Sequence, residues 1–299
     1  MKKMLLVSLL LTAAIAVQAQ LKIVPKMQKG TVKTYITTTT TSIPMQGDAK
    51  ITSESKFTVV DATADGYILD IQTVKIQVEA DENNIAGKLM AAGDEIQKDV
   101  VVRVATDKDG KPVKVLNATE LKAKVEQSAD AVIDKMYTDI PQLNEMIADK
   151  SMLKRQLLES FTEEAIIRGL QESTSAMVLN GKTVITGAQE EFVSKDGLKM
   201  KRMYFVNGKN IIANSTLNMS KDEMKALIIK QVEERAPEQA EVIKENIDQV
   251  MEAGLLKIDM TQKDTYELQD DGWPKSIVTE STTETMGQKI TTKGTVTLK

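Results

Sequence analysis

The sequence contains no histidine and no cysteine among its 299 residues. The chain therefore lacks imidazole, the usual general base near neutral pH, and thiolate, a common nucleophile. The same two residue types supply ordinary zinc and copper sites. We therefore predict no metal site, no cofactor and no catalytic residues in a protein that is not an enzyme. An enzyme that works with carboxylates alone is the least favoured hypothesis.

Aromatic residues make up only 3% of the chain, and Trp273 is the single tryptophan. A surface on which sugars or bases stack is therefore poorly supplied. The formal net charge is −4, and no basic arm or patch interrupts this acidic balance. Because phosphate backbones are bound by clustered Lys and Arg, we predict no nucleic-acid partner.

Long hydrophobic runs are absent beyond the N-terminus. There, Lys2 and Lys3 precede an apolar run from Met4 to Val17. This run is short for a membrane-spanning helix. The stretch ends with small residues, the last of which is Ala19. This pattern predicts a secretory signal peptide over residues 1–19, cleaved after Ala19, with an uncleaved anchor as the alternative. No cysteine follows the run, so we expect an exported periplasmic or extracellular protein that is neither a lipoprotein nor integral to the membrane.

The chain after that cleavage is long enough to bury a core without disulfides. Six Asp-Gly or Asn-Gly pairs punctuate it, and such pairs favour type I′ turns, in which both central residues have positive φ. So many hairpin turns predict an antiparallel meander. The pairs begin at Asp65, Asp109, Asn180, Asp196, Asn207 and Asp271.

The two ends of the chain carry similar threonine-rich hairpins. Near the N-terminus, Thr37 to Thr41 precede a turn at Met45, Gln46 and Gly47; a low-complexity linker is the alternative interpretation. Near the C-terminus, Val278–Thr285 and Lys289–Leu298 flank a turn at Met286-Gly287. We expect these hairpins to occupy related positions in one sheet.

One predicted strand changes its apolar face along its length. Leu69 and Ile71 share one face under strict alternation, whereas Val74, Ile76 and Val78 fall on the other. A β-bulge, or a strand whose two halves are covered from different sides, explains such a switch. We predict a strongly curved sheet in this region.

Two blocks of helices interrupt the strands. The first begins at Asn117, predicted as N-cap with Glu120 three residues on, and continues over about 141–149, 151–158 and 162–170. The second opens with a capping box at Ser220-Lys221-Asp222-Glu223. Residues 182–194 are predicted as one strand between the blocks. The order predicts a single α+β domain over 20–299, with a possible subdivision near 175–181: a large curved antiparallel sheet, a meander of long hairpins, covered on one face by the helices.

Two acidic patterns are better explained by local structure than by metal binding or catalysis. Asp107-Lys108-Asp109-Gly110 resembles the start of a calcium loop, but its glycine comes too early, so we interpret it as a hairpin turn. Adjacent pairs such as Glu190-Glu191 have no catalytic spacing and are interpreted as solvated faces.

Sixteen methionines are the main compositional feature with functional content. Several lie on apolar helical stripes, where methionine ordinarily packs a core but can also repack around varied apolar ligands. The apolar-ligand hypothesis selects five helix residues as candidate contacts. They are Met136, Met146, Leu157, Met224 and Met251.

The turn and strand motifs carry a resemblance. Lys29-Gly30 before a threonine-rich strand, Asp109-Gly110-Lys111-Pro112-Val113 and Asp271-Gly272-Trp273-Pro274 together resemble a family of exported bacterial proteins of unknown function. The long strands with helical insertions also look like the periplasmic lipoprotein-carrier half-barrels. That second likeness implies a fold only, because fold does not imply function.

Two functions remain open from the sequence. The first is a non-enzymatic exported protein that holds a lipid or acyl chain between the sheet and the methionine-rich helices. The alternative is a structural or protein-interaction module of the cell envelope, which would add a partner strand to an exposed threonine-rich edge.

Overall fold

The computed structural model describes most of the chain after residue 18. The described residues are 19–45, 47–81, 84–85, 87–89, 100–147, 149–172, 174–194, 197–235, 240–252, 258–285 and 288–299; for 145, 146, 234 and 235 the backbone alone is described. The predicted signal peptide, apart from Ala19, lies outside these residues. So do two predicted turn positions, Gln46 and Met286-Gly287.

Strands are the largest component of the fold. In chain order they are β1 (Gln20–Lys22), β2 (Val32–Ile43), β3 (Gly47–Ala62), β4 (Tyr67–Ala80), β5 (Val101–Thr106), β6 (Pro112–Val115), β7 (Thr183–Ile185), β8 (Gln189–Val193), β9 (Lys199–Asn207), β10 (Asn210–Leu217), β11 (Ile258–Leu268), β12 (Pro274–Thr285) and β13 (Gln288–Leu298). Thr37 to Thr41 lie within β2, which confirms a strand and excludes the linker interpretation.

Eleven strands form one curved antiparallel sheet in the order β6-β5-β4-β3-β2-β13-β12-β11-β10-β9-β8. The sheet is not closed, because β6 and β8 do not pair. The N-terminal and C-terminal hairpins meet at its centre, where Thr41 of β2 pairs with Thr292 of β13 and Tyr35 pairs with Leu298. The expectation that the two hairpins are related in one sheet is confirmed. The short strands β1 and β7 pair separately.

Six helices lie in two blocks of the described chain, as predicted. They are α1 (Ala118–Asp139), α2 (Leu143–Met146), α3 (Lys150–Ser160), α4 (Glu163–Leu170), α5 (Lys221–Arg235) and α6 (Ala240–Glu252). The capping box of α5 is present: Ser220 N donates to Glu223 Oε2 at 2.9 Å, and Glu223 N donates to Ser220 Oγ at 3.2 Å. The predicted α+β class is therefore confirmed. Within the described ranges, none of the helices combines the length and apolar character needed to cross a membrane.

Three local predictions were wrong in detail. Residues 182–194 form two strands, β7 and β8, because Gly187 has φ 79° and turns the chain between them. The helix expected over 141–149 is the single turn α2. Asn117 precedes α1 but does not cap it: its Oδ1 accepts from Arg103 N at 2.9 Å and its Nδ2 donates to Val101 O at 2.8 Å. Its amide therefore ties the helix start to β5.

The predicted bulge in β4 is present. Lys75 pairs with Glu54 and Thr73 pairs with Ser55, so Val74 is the extra residue and is 43% exposed. The inserted residue reverses the alternation of β4. Ile71 before it and Ile76 after it consequently lie on the same face of the sheet.

The Asp-Gly and Asn-Gly pairs mostly mark hairpins, but their turn type differs from the prediction. Among described residues Met45 is the one non-glycine with positive φ, so both-positive type I′ geometry is absent from the described pairs. Only the glycines, such as Gly110 at 81° and Gly208 at 60°, adopt the left-handed region. The pair at Asn180 is not in a hairpin; Gly181 N instead donates to Ile23 O at 2.9 Å.

Apolar side chains form three clusters. The largest joins the central strands to residues 176–179, which cross the sheet and are all buried. A second lies among α1, α2 and α3, with Ile85 and Leu89 packed against it. A third joins α1 and α4 to β5 and β6. The helices of the first block therefore have a core of their own beside the sheet.

Candidate functional site

The two faces of the sheet have opposite character. Residues directly opposite one another on paired strands share a face, so the register assigns every position. One face carries Tyr35, Val296, Ile277 and Tyr266 and is called the inner face here. Along β13 its residues from Ile290 onward are half-buried or buried, whereas most of the intervening residues are exposed.

Most charged side chains of the central strands lie on the outer face; Lys33 of β2, opposite Phe57 on the inner face, instead binds Asp271. One row runs Glu280, Lys293, Thr40, Lys50 and Glu79 across five strands. Two ion pairs form along it: Lys293 Nζ lies 3.3 Å from Glu280 Oε1, and Lys50 Nζ lies 3.1 Å from Glu79 Oε1. The outer face is therefore a solvated surface rather than a second packing layer.

One end of the inner face is filled by side chains. Trp273 is fully buried, contacts the rings of Tyr35 and Phe57, and donates from Nε1 to Lys26 O at 3.2 Å. The cavity beside Ala176 and Tyr266 measures only about 10 Å³. We call this region the core end. It has no room for a ligand.

At the other end of the inner face the described side chains remain partly exposed, and we call this end the hairpin half because it extends toward the turns of the two end hairpins. Twelve of its side chains are half-buried and uncharged. They are Thr37, Thr39, Thr41, Ile43, Ile51, Ser53, Ile76, Val78, Ser281, Thr283, Ile290 and Thr292. The hairpin half thus intersperses isoleucine and valine side chains with hydroxyl-bearing ones.

Two glycines show where other segments border the hairpin half. A Cβ on Gly294 would lie 3.1 Å from Thr174 Cγ2, so the segment before residue 176 crosses the sheet there. A Cβ on Gly87 would lie 2.4 Å from Ala80 Cβ and 3.1 Å from Ala49 Cβ, so the backbone at Gly87 approaches the β3–β4 strands closely. Asn84 is fully buried at this border. The hairpin half is therefore bounded at the core end and beside β4.

A buried ionic cluster occupies the inner face of β8 to β12. Arg202 Nε donates to Ser215 Oγ at 3.0 Å, and its guanidinium lies 3.4 Å from Glu190 Oε1 and 3.8 Å from Asp264 Oδ2. Tyr204 Oη donates to Glu190 Oε1 at 2.6 Å, and the guanidinium also stacks on a phenylalanine ring. Asp264 is fully buried and accepts from Thr279 Oγ1 and the Gln262 amide.

The pKa values of this cluster favour fixed charges. Burial alone would raise the pKa of Glu190, but the Tyr204 hydrogen bond and the charges of Lys182 and Arg202 outweigh it, and the pKa lies below its usual value. Burial lowers the pKa of Lys182, partly offset by Glu190. Burial also raises the pKa of Tyr204 well above its usual value. A carboxylate that stays ionised among cations is poorly suited to general acid–base work near neutral pH.

The sequence interpretation of Glu190-Glu191 was half wrong. Glu191 is exposed, but Glu190 lies on the inner face and binds Arg202. Consecutive residues of a strand point to opposite faces of the sheet, so one glutamate of the pair must lie on the inner face. Among the residues that the structure describes, no three acidic side chains converge as ligands for a metal ion.

Open clefts also occur among the helices. One of about 370 Å³ lies between α1 and α3, and one of about 580 Å³ lies beside α4. Their linings alternate in charge: Lys122, Glu126 and Lys154 in the first, Glu163 and Arg168 in the second. Neither is lined by a predicted contact residue.

The structure separates the predicted ligand contacts into two groups. Met136 is 5% exposed in the cluster of α1, α2 and α3, and Leu157 packs against the same cluster. Met224, 6% exposed, lies on α5, and half-buried Met251 lies on α6. The side chain of Met146 lies outside the described part of the chain. These five residues stay predictions as ligand contacts.

The hairpin half was not predicted as a site, because the candidate ligand contacts were selected from the apolar stripes of the helices. The sequence does contain its pattern: in β13, Lys289 and Lys293 alternate with Ile290 and Thr292. Assigning the charged positions of the threonine-rich strands to one face would have left an uncharged face opposite.

Comparisons with known proteins supply no family. No family model and no curated protein matches the chain. One solved structure with a similar arrangement is titled "Lipid-protein interactions in lipovitellin", with 9% identity and a TM-score of 0.41 over 92% of this chain. The chain spans 25% of the length of that protein. A TM-score of this size does not establish a shared fold.

Proposed function

We propose that this is a non-enzymatic exported protein that binds the acyl chain of a lipid against the hairpin half of the inner face. One observation carries the proposal: the half-buried apolar side chains there have uncharged neighbours on the inner face, while the charges carried by the same stretches of these strands lie on the outer face. A face kept free of charge but left partly open suits an apolar ligand.

The dimensions of the hairpin half fit one extended acyl chain. From Thr37 to Ile43 the strand rises by roughly 20 Å, and the five strands β4-β3-β2-β13-β12 span roughly 19 Å. Burying about 200 Å² of apolar ligand surface there would contribute about 5 kcal/mol, before the costs of ordering the ligand.

The Arg202 cluster supports binding without catalysis. Its two carboxylates converge on one guanidinium and are held by further hydrogen bonds from Tyr204 and Thr279. Such a saturated cluster fixes strand positions rather than presenting a reactive group.

The competing function is an envelope interaction module. The route considered from the sequence, strand addition to a threonine-rich edge, is wrong because β2 lies between β3 and β13 and is not an edge. A partner strand would have to add to β6 or β8 instead. Acyl binding is therefore the function that the geometry favours.

A matched pair of threonines tests the proposal. Thr291 and Thr292 are consecutive in β13, but Thr291 is exposed on the outer face and Thr292 is half-buried on the inner face. We expect Thr292→Lys to weaken binding of a fluorescent fatty-acyl probe at least tenfold, because it places an unpaired ammonium beside the acyl chain. Thr291→Lys should leave binding unchanged.

Unfolding midpoints of both variants provide the folding control. If Thr292→Lys fails to fold, the smaller change Ile290→Thr replaces it, with Thr291→Ser as its outer-face control. Equal binding by the inner-face and outer-face variants, or no uptake of the probe by the unmodified protein, would contradict the proposal.

A further inference from the structure

One continuous row of polar groups crosses the inner face. The register places six residues opposite one another from β9 to β2. They are Arg202, Ser215, Gln262, Ser281, Thr292 and Thr41. Its end in the hairpin half consists of hydroxyls alone, and the Oγ1 atoms of Thr41 and Thr292 lie 3.4 Å apart.

The next row toward the hairpin tips is mostly apolar. Met260 pairs with Thr283, which pairs with Ile290. An extended molecule lying along these two rows would have hydrocarbon on one side and hydroxyls on the other. This arrangement fits an amphipathic ligand rather than a plain hydrocarbon.

The charge pattern then restricts the head group. Arg202, the cation within the row, is already shared by Glu190 and Asp264. In the hairpin half, the described inner-face side chains are uncharged. Among the described side chains of that face, a buried carboxylate or phosphate would find no counter-ion, and an ammonium would find no carboxylate.

Hydroxyls can nevertheless satisfy an uncharged head. Each threonine hydroxyl has one donor hydrogen and two acceptor lone pairs, so the bond between Thr41 and Thr292 leaves capacity for a ligand. We infer that the ligand is an uncharged acyl lipid whose ester, amide or hydroxyl head group hydrogen-bonds this hydroxyl row. The inference rests on the proposed function and names its ligand class.

Three probes with the same acyl chain test the head group: monolaurin is uncharged, laurate is anionic and lauroylcholine is cationic. Each competes with a fluorescent acyl probe at neutral pH, below its micelle concentration. We expect monolaurin to displace the probe at a concentration at least tenfold lower than the concentration that laurate or lauroylcholine requires.

A pair of double variants tests the hydroxyl row. Thr41→Val with Thr292→Val removes the inner-face hydroxyl pair, and we expect about tenfold weaker monolaurin binding with unchanged binding of dodecylbenzene, which has no polar head. Thr38 and Thr52 form a similar hydroxyl pair, 3.3 Å apart, on the outer face. The double variant Thr38→Val with Thr52→Val should change neither monolaurin binding nor dodecylbenzene binding.

The outcomes separate the inference from the proposed function. If laurate or lauroylcholine binds as tightly as monolaurin, the inference is overturned while acyl binding stands. An equal effect of both double variants on monolaurin also overturns it. If no probe of any charge binds, acyl binding itself fails, and the inference fails with it.

Discussion

The core end and the hairpin half are two parts of one sheet face, built from the same strands, yet they are packed differently. In β2, Tyr35 is 1% exposed at the core end, while Thr37 to Ile43 are half-buried. In β13, Val296 is buried and Ile290 is half-buried. Strand formation is therefore independent of whether the face is covered.

The difference shows where stability and function can be separated. The core end supplies packing through its aromatic group, whereas the hairpin half leaves apolar side chains available. Hydroxyl-bearing β-branched residues suit the second role, because threonine maintains a strand on a face that is half wet. Substitutions at the two ends should therefore differ in their effects on stability.

The largest loss of stability is expected for Trp273→Ala at the core end. Trp273 is fully buried and contacts Tyr35 and Phe57, so its removal should cost about 3–5 kcal/mol. Denaturant unfolding measures this loss. A cost below about 1 kcal/mol would contradict a filled core end.

A loss of similar size is expected at the Arg202 cluster. Arg202→Met leaves the fully buried Asp264 without its cation, which should cost about 3–5 kcal/mol. Adding Asp264→Leu should recover much of this loss, because the second variant removes the uncompensated charge. If the double variant were as unstable as the sum of the single variants, the pairing would be wrong.

The comparison is sharpest for two isoleucines. Ile277 on β12 is 1% exposed at the core end, whereas Ile290 on β13 is half-buried in the hairpin half. We expect about 2–5 kcal/mol for Ile277→Ala and about 1 kcal/mol for Ile290→Ala, because the second leaves no closed cavity. Equal unfolding costs would show that the two ends are packed alike.

The smallest effect is expected outside both regions, at the start of α5. The hydrogen bond from Lys199, then those from Ser220, lower the pKa of Glu223 from 4.5 to about 2. A carboxylate with a depressed folded-state pKa stabilises the fold above its unfolded pKa and loses that effect as pH falls.

We therefore expect Glu223→Gln to be slightly less stable than the unmodified protein at neutral pH. The difference in unfolding midpoint should shrink as the pH falls from about 4.5 toward 2. A difference that grows on acidification would contradict this sign. Ile290→Ala serves as a control, because it removes no titratable group.

The sequence predicted the architecture better than the site. Periodicity and turn residues identified the meander, both helix blocks and the β4 bulge, because these depend on local alternation. The inward-facing ion pair of Glu190 depends on Arg202 of the neighbouring strand, and the amide of Asn117 is diverted to β5. Contacts between distant residues of this kind leave no local pattern.

The candidate site required the register of several strands. Alternating lysines in β13 were visible in the sequence, but the row from Arg202 to Thr41 exists only once five strand pairs are aligned. Methionine on helical stripes was a weaker indicator, because Met136 and Met224 are both buried.

Ligand protection of single introduced cysteines tests most directly whether a lipid binds the inner face. Because the sequence has no native cysteine, only the introduced thiol is labelled. Thr39→Cys and Thr40→Cys place thiols at consecutive half-buried positions on the inner and outer faces of β2. We expect monolaurin to slow maleimide labelling at position 39 by tenfold or more and to leave position 40 unchanged. Equal labelling at both positions with and without the lipid would contradict an acyl-binding inner face.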